Sequence, residues 1–270
     1  MIDNANSTIN KSDILFLGLP FYSTCGVRGC GPKAIREALN SLSSFNLKTM
    51  KDSFDVLKIK DYGDVKAVDY NSLERKVDSS IKSIYSKGFN GSFIFMGGEH
   101  LVTLPLIKSL SKRSSFNCLI LDAHADFYDK YKGSKFSYAT VTRRVSELVD
   151  KVYIAGVRDL SLEEFSGLKD SRVKMVDFNE ASRLLKRGSW YVSVDLDVLD
   201  PIYCPCVSTP VPLGLKLIDL VKLLNTACLS RNMVALDIVE LTSRFKDLSA
   251  VNTAGLIINY LHFKGGELSK

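Results

Sequence analysis

Three apolar runs in this chain each lead straight into acids and histidines, and that pattern leaves few folds open. Phe93-Ile94-Phe95-Met96 precedes Gly97-Gly98-Glu99-His100, and Cys118-Leu119-Ile120-Leu121 precedes Asp122-Ala123-His124-Ala125-Asp126. Trp190-Tyr191-Val192 precedes Ser193-Val194-Asp195-Leu196-Asp197. Each run reads as a buried strand. Side chains alternate along an extended chain, so Asp122, His124 and Asp126 point one way, as do Asp195 and Asp197. Parallel strands deliver such blocks to one crevice at their carboxyl ends. Four carboxylates and two imidazoles then converge, which is tolerable only with cations between them.

Taken singly, an acid at a strand end caps a turn, and Asp200 before Pro201 is read that way. Taken together, the six residues His100, Asp122, His124, Asp126, Asp195 and Asp197 read as a metal site, and they include two of the chain's three histidines. A carboxylate-rich donor set without thiolate suits borderline-hard divalent ions, with manganese ahead of cobalt, iron or zinc. Six ligands are too many for one catalytic ion with an open position. They suit two Mn(2+) ions per subunit bridged by shared carboxylates and a water, a pair about 3.5–4 Å apart that yields a hydroxide nucleophile near neutral pH.

Around these blocks, strand-like and helix-like segments alternate. Strands are expected at Asp13–Gly18, Ser92–Met96, Asn117–Leu121, Lys151–Ala155, Val173–Asp177, Trp190–Val194 and Asn232–Val239, with another near Val56–Ile59. Helical spacing marks Pro32–Leu42, Leu73–Ser86, Leu101–Leu110, Thr140–Leu148, Leu217–Cys228 and Ser249–Tyr260. The alternation predicts an α/β fold with a mostly parallel sheet covered on both faces. No repeat or linker divides the 270 residues, so one domain over residues 1–270 is expected.

The three blocks resemble those of the ureohydrolases, the arginase and agmatinase family of binuclear manganese enzymes. Cys25-Gly26-Val27-Arg28-Gly29-Cys30-Gly31-Pro32 resembles the family's early Gly-rich loop, and Leu236-Asp237-Ile238-Val239-Glu240-Leu241 its late strand. Gly156-Val157-Arg158-Asp159 matches a weaker family segment, so the resemblance runs from about Ile14 to Tyr260. It implies a three-layer α/β/α sandwich and a homo-oligomer, trimer or hexamer. It also implies that His100, Asp122, Asp126 and Asp195 hold one ion and Asp122, His124, Asp195 and Asp197 the other. In that scheme Asp122 and Asp195 are the bridges, Asp126 also takes a proton from the nucleophile, and Glu240 pairs with the substrate guanidinium.

Two departures matter. Phe136-Ser137-Tyr138-Ala139 stands where agmatinase-like members carry a segment resembling Tyr-Ser-His-Ala, so Tyr138 replaces a histidine implied to shuttle protons or contact substrate. A phenol with a pKa near 10 is a poor shuttle at pH 7, and loss of a positioned acid costs about 10²–10⁴ in rate. A slower, substrate-shifted or alkaline-active enzyme is therefore expected. The other departure is Cys204-Pro205-Cys206 with Pro210-Val211-Pro212-Leu213-Gly214, which replaces family glycines and implies a different loop beside the site. Agmatine is the first substrate by resemblance, with other guanidino acids or amines and N-formimino compounds as alternatives. A catalytically lapsed paralogue acting as a binding or assembly protein is the rival reading.

Other partner classes find little support. The charge of +6, from 36 basic and 30 acidic residues, is spread along the chain, and its Lys-Arg clusters lack interleaved aromatics, so no nucleic acid is expected. No apolar stretch of about 18 residues predicts a membrane span. The polar segment Met1–Lys11 lacks a signal-peptide core, which points to the cytoplasm. The six cysteines lack the paired spacing of a zinc site. His262 falls in an apolar helical stretch away from the blocks.

Overall fold

The apolar runs become strands in the computed structural model, which describes residues 1–228 and 232–268. In chain order the first elements are β1 (Ile14–Leu19), α1 (Gly31–Leu39), β2 (Phe45–Asn46), β3 (Lys51–Asp52), α2 (Ser53–Val56), β4 (Ile59–Asp64) and α3 (Tyr70–Ser86). There follow β5 (Ser92–Gly97), α4 (Thr103–Leu110), β6 (Asn117–Leu121), α5 (Val141–Ser146), β7 (Val152–Ala155) and α6 (Leu162–Lys169). The chain continues through β8 (Lys174–Met175), α7 (Phe178–Leu185), β9 (Ser189–Asp195), α8 (Leu217–Cys228), β10 (Asn232–Val239) and α9 (Leu248–Leu268).

Eight strands pair in the order β4-β1-β5-β10-β9-β6-β7-β8, and every neighbouring pair is parallel. Parallel neighbours need a crossover between them, and the helices supply it on both faces. Ile14 and Phe16 of β1 join a core with Ile35 of α1, Leu185 of α7, Leu224 of α8 and Ile257 of α9. Leu15, Leu17 and Leu19 join the opposite core with Ile81 of α3, Leu106 of α4 and Val145 of α5. The two-residue period of the strand thus feeds both faces, giving the three-layer α/β/α sandwich. Each large apolar side chain so buried contributes about 1.5–3 kcal/mol.

The structure differs from the sequence reading in three places. The segment near Val56–Ile59 is not a strand: Asp52 caps α2 through the Phe54 amide at 2.8 Å, and β4 starts at Ile59 and runs to Asp64. Val173–Asp177 shrinks to the two residues of β8 at the sheet edge, because Asp177 turns aside to cap α7 through the Glu180 amide. Helices α6 and α7 were not expected; α6 begins at a capping box in which Ser161 and Glu164 satisfy each other's backbone amides.

Candidate metal centre

His100, the Asp122–Asp126 block, the Asp195–Asp197 pair and Glu240 follow β5, β6, β9 and β10, which are the four central strands of the sheet. All leave the same end, so four sheet neighbours deliver their acids to one crevice. Local geometry then departs from simple alternation. Asp195 ends β9 and caps a 3-10 turn over Leu196–Val198, accepting from the Asp197 amide at 2.9 Å, so the pair is set by a turn and not by an extended strand. Asp126 and Glu240 adopt left-handed backbone, φ 49° and 67°. Non-glycine residues hold that conformation at a cost of about 1–3 kcal/mol, and such strain concentrates at functional sites.

Three carboxylates are each pinned on one side and aimed on the other. Asp122 Oδ1 accepts from the His124 amide at 2.7 Å, Asp195 Oδ1 from the Asp197 amide at 2.9 Å, and Asp197 Oδ1 from the Ala123 amide at 3.0 Å. Their Oδ2 atoms face the imidazoles. His100 Nδ1 lies 3.0, 3.1 and 3.2 Å from Oδ2 of Asp122, Asp126 and Asp195, while His124 Nδ1 lies 2.8 Å from Asp197 Oδ2 and 3.5 Å from Asp122 Oδ1. Two donor groups result, His100–Asp122–Asp195 and Asp122–His124–Asp197, and Asp122 belongs to both. Asp195 belongs to the first only, and Asp126 borders it through the His100 contact.

These residues fit divalent ions. His100 Nδ1 and Asp122 Oδ2 are buried and make no hydrogen bond although they are 3.0 Å apart, and His124 Nε2 is likewise unpaired. Donor atoms at right angles around one ion, with bonds of about 2.1 Å, are themselves about 3 Å apart. Orphaned donors at that spacing describe ligands converging on a shared point. The electrostatics agree. Burial pushes the Asp195 and Asp197 carboxyls up, reinforced by Asp122, and Asp195 also feels Asp197. Burial and then Asp122 raise Asp126 to about 7. Burial alone disfavours the His124 imidazolium, but Asp122 and Asp197 outweigh it and raise the ring to about 12. Four carboxylates face two imidazoles here, and acids that burial and their neighbours force upward can all be ionised together only with cations among them.

Beneath the cluster lies a network whose role the sequence reading did not identify. Asp237 on β10 is wholly buried and accepts from Tyr191 OH at 2.5 Å, Ser193 Oγ at 2.6 Å and Thr103 Oγ1 at 2.7 Å. Ser193 Oγ lies 3.1 Å from His100 Nε2, so a proton on Nε2 leaves Nδ1 bare toward the carboxylates. Glu240 is also buried; its Oε1 accepts from the His100 amide at 2.6 Å and its Oε2 from Ser208 Oγ at 2.5 Å. Burial raises Glu240 to about 7, against the opposing effect of those two bonds.

The cluster opens into a cavity of about 330 Å³ lined by His124, Asp126, Asp195, Asp197 and Glu240, with Tyr138 on its wall. Tyr138 is anchored: its amide donates to Thr24 Oγ1 at 3.2 Å, and Thr24 is bound in turn to buried Glu99. The segment entering the Gly-rich loop therefore positions Tyr138. Arg158 holds the divergent loop, donating to the carbonyls of Asp197 and Val211 at 2.7 Å and of Pro212 at 3.0 Å. Gly156 beside it, at φ 106°, lets the backbone approach Asp122, whose carbonyl would lie 2.8 Å from an added Cβ. Asp200 caps the turn as expected, accepting from the Ile202 and Gly214 amides at 3.1 Å. His262 lies outside the cluster, with Nε2 2.7 Å from the Ser44 carbonyl.

Ser208 and Arg158 act through polar contacts from loops, and no spacing in the sequence flags Ser208. Ser193 and Asp237 sit inside apolar strands, where a lone polar residue in a buried run was the available signal.

Comparison with known proteins agrees with this geometry. An agmatinase from Pyrococcus horikoshii is 33% identical over 264 residues, covering 94% of this chain and 92% of its own. A guanidinobutyrase from Pseudomonas aeruginosa is 27% identical, with 94% and 86% covered. The solved agmatine ureohydrolase of Thermoplasma volcanium superposes with a TM-score of 0.87 at 28% identity, over 99% of this chain and 95% of that one. The sequence profile of the arginase family matches residues 12–262. This chain is a member of the arginase family.

Proposed function

We propose that the protein is a manganese-dependent hydrolase that cleaves a guanidino compound, agmatine first, to urea and an amine. The observation that carries this reading is the sharing of Asp122 between two donor groups whose His124, Asp195 and Asp197 line a cavity together with Glu240. One ion would be held by His100, Asp122, Asp126 and Asp195, the other by Asp122, His124, Asp195 and Asp197. When bound, such a pair supplies Lewis acidity and a hydroxide nucleophile at neutral pH.

The chain's own residues do the rest. Glu240 offers a carboxylate fork matched to a planar guanidinium. Its oxygens are held by His100 and Ser208, so little freedom is lost when substrate pairs with it. Asp126 faces His100 through Oδ2 and lines the cavity, where its carboxylate would accept a proton from the attacking water and return it to the leaving amine. Tyr138 keeps its own proton, because burial and then the neighbouring Tyr131 push its phenol above the ordinary value. It serves as a neutral wall residue and not as a shuttle.

The test is turnover by manganese-loaded protein at pH 7 and 9 on agmatine, arginine, guanidinobutyrate and formiminoglutamate, scored for urea or formamide. Urea from agmatine, abolished by chelation, is expected. Two ions bound with no turnover on any compound would overturn the reading and favour the lapsed paralogue.

A further inference from the structure

We propose that the outer wall of the cavity selects substrates whose far end is a cation, through the rings of Tyr131 and Tyr138 and the carboxylate of Asp159. The inference rests on the guanidino-hydrolase reading and extends it from the reacting group to the tail.

The lining carries the case. Six carboxylates and three tyrosines face this cavity, and among the described residues no lysine or arginine lines it. Most of those carboxylates are committed. Asp126, Asp195 and Asp197 belong to the cluster, and Glu240 is held by His100 and Ser208 for the guanidinium. Glu164 is consumed by the backbone, with Oε1 accepting from the Phe127 amide and Oε2 from the Ser161 amide and hydroxyl. Asp159 is left. Its side chain is 64% exposed, and its one charged neighbour among the described residues is the His124 ring, 4.0 Å away.

Three tyrosine rings share the cavity lining with Asp159. Tyr131 and Tyr138 meet edge to face with centroids 5.5 Å apart, and Tyr128 lies 5.6 Å from Tyr131 on its other side. Crossed rings of this kind present negative faces to a cation and apolar surface to a methylene chain. A protonated amine, with a pKa near 10.4, keeps its charge throughout the neutral range. A carboxylate tail in its place meets Asp159 and the ring faces with the wrong sign, and no side-chain cation in the lining receives it.

Agmatine, guanidinobutyrate and butylguanidine share one guanidinium and one spacer, and end in a cation, an anion and a methyl group. With manganese-loaded protein, kcat/KM is expected to fall in the order agmatine, butylguanidine, guanidinobutyrate. Tyr131→Leu and Tyr138→Leu should raise KM for agmatine roughly 3- to 30-fold more than KM for butylguanidine, and the Phe variants, which keep the ring, should recover the difference. Asp159→Asn, at an exposed position that spares the fold, should lower the agmatine preference about two- to fivefold. Equal use of agmatine and guanidinobutyrate, or variants that weaken all three compounds alike, would overturn the inference while leaving the hydrolase reading intact. If neither these three nor arginine and formiminoglutamate are hydrolysed, the hydrolase reading fails. Calorimetric binding of agmatine against guanidinobutyrate then decides the tail question alone, with agmatine at least about tenfold tighter if the wall acts as proposed.

Discussion

Two carboxylate clusters, one at the edge of the sheet and one at its centre, handle their charge in opposite ways. At the sheet edge Arg36 on α1 reaches Asp61 at 2.8 Å and Asp64 at 2.6 Å, and the Ile2 and Gly63 amides complete the Asp61 shell. Burial alone would raise Asp61, yet Arg36 outweighs it and holds the carboxyl below its usual value. In the centre of the sheet no arginine or lysine pairs with the Asp122 cluster among the described residues, and burial drives Asp195 and Asp197 upward. The first cluster brings its own cation and is a structural tie. The second has no such cation among the described residues, and its donor groups could hold metal ions instead. Asp237 marks a third solution, with three hydroxyl donors and no cation.

The contrast can be broken by mutation. Asp122→Ala removes the residue common to both donor groups and should cost at least about a thousandfold in turnover, together with most of the bound metal, read by elemental analysis. An enzyme that keeps its metal and its rate would refute the central role of Asp122. Arg36→Ala should instead cost about 3–5 kcal/mol of stability, measured by denaturant unfolding, and leave metal content per folded chain unchanged. Its pH dependence follows from sign. The folded-state pKa of Asp61 is depressed, so its contribution is present above the unfolded value of about 3.9 and is lost as pH falls through the folded value. Acid unfolding of Arg36→Ala should therefore be less steep than that of wild type, and parallel curves would show that the pair does not stabilise the fold.

Asp237→Asn sharpens the comparison from beneath. Weakening the acceptor for Ser193 should loosen the His100 tautomer and lower manganese affinity about 10- to 100-fold, measured by competition with a chelator. Unchanged affinity would make the network a packing device only. The smallest expected effect is at Ser161, whose replacement by Ala removes the cap of α6 and should cost about 1 kcal/mol with no change in metal binding.

How much of this was readable from sequence follows the same physics. The convergence of the six acids and imidazoles was legible because they are rare residue types placed directly after apolar runs that read as buried strands. Glu240 was legible because β10 is a clear apolar run and its last acid had to emerge beside the others. The turn that sets Asp195 beside Asp197 was hidden, since it arises from one side chain capping its own backbone. Helices α6 and α7 have eight residues each, too short for a firm apolar period. Their starts were nonetheless written in Ser161-Leu162-Glu163-Glu164 and Asp177-Phe178-Asn179-Glu180. Near Val56–Ile59 apolar content masked a helix start that Asp52 announces. Ser208 could not be found, because nothing along the chain says which loop hydroxyl reaches a carboxylate 32 residues away.

The most direct measurement is the stoichiometry of manganese bound to metal-stripped protein, by calorimetric titration with elemental analysis of the product. Two ions per chain in wild type, with most of that binding lost in Asp122→Ala, is the predicted result. A single ion per chain, or two ions bound equally well by Asp122→Ala, would contradict a two-ion centre in which Asp122 is shared.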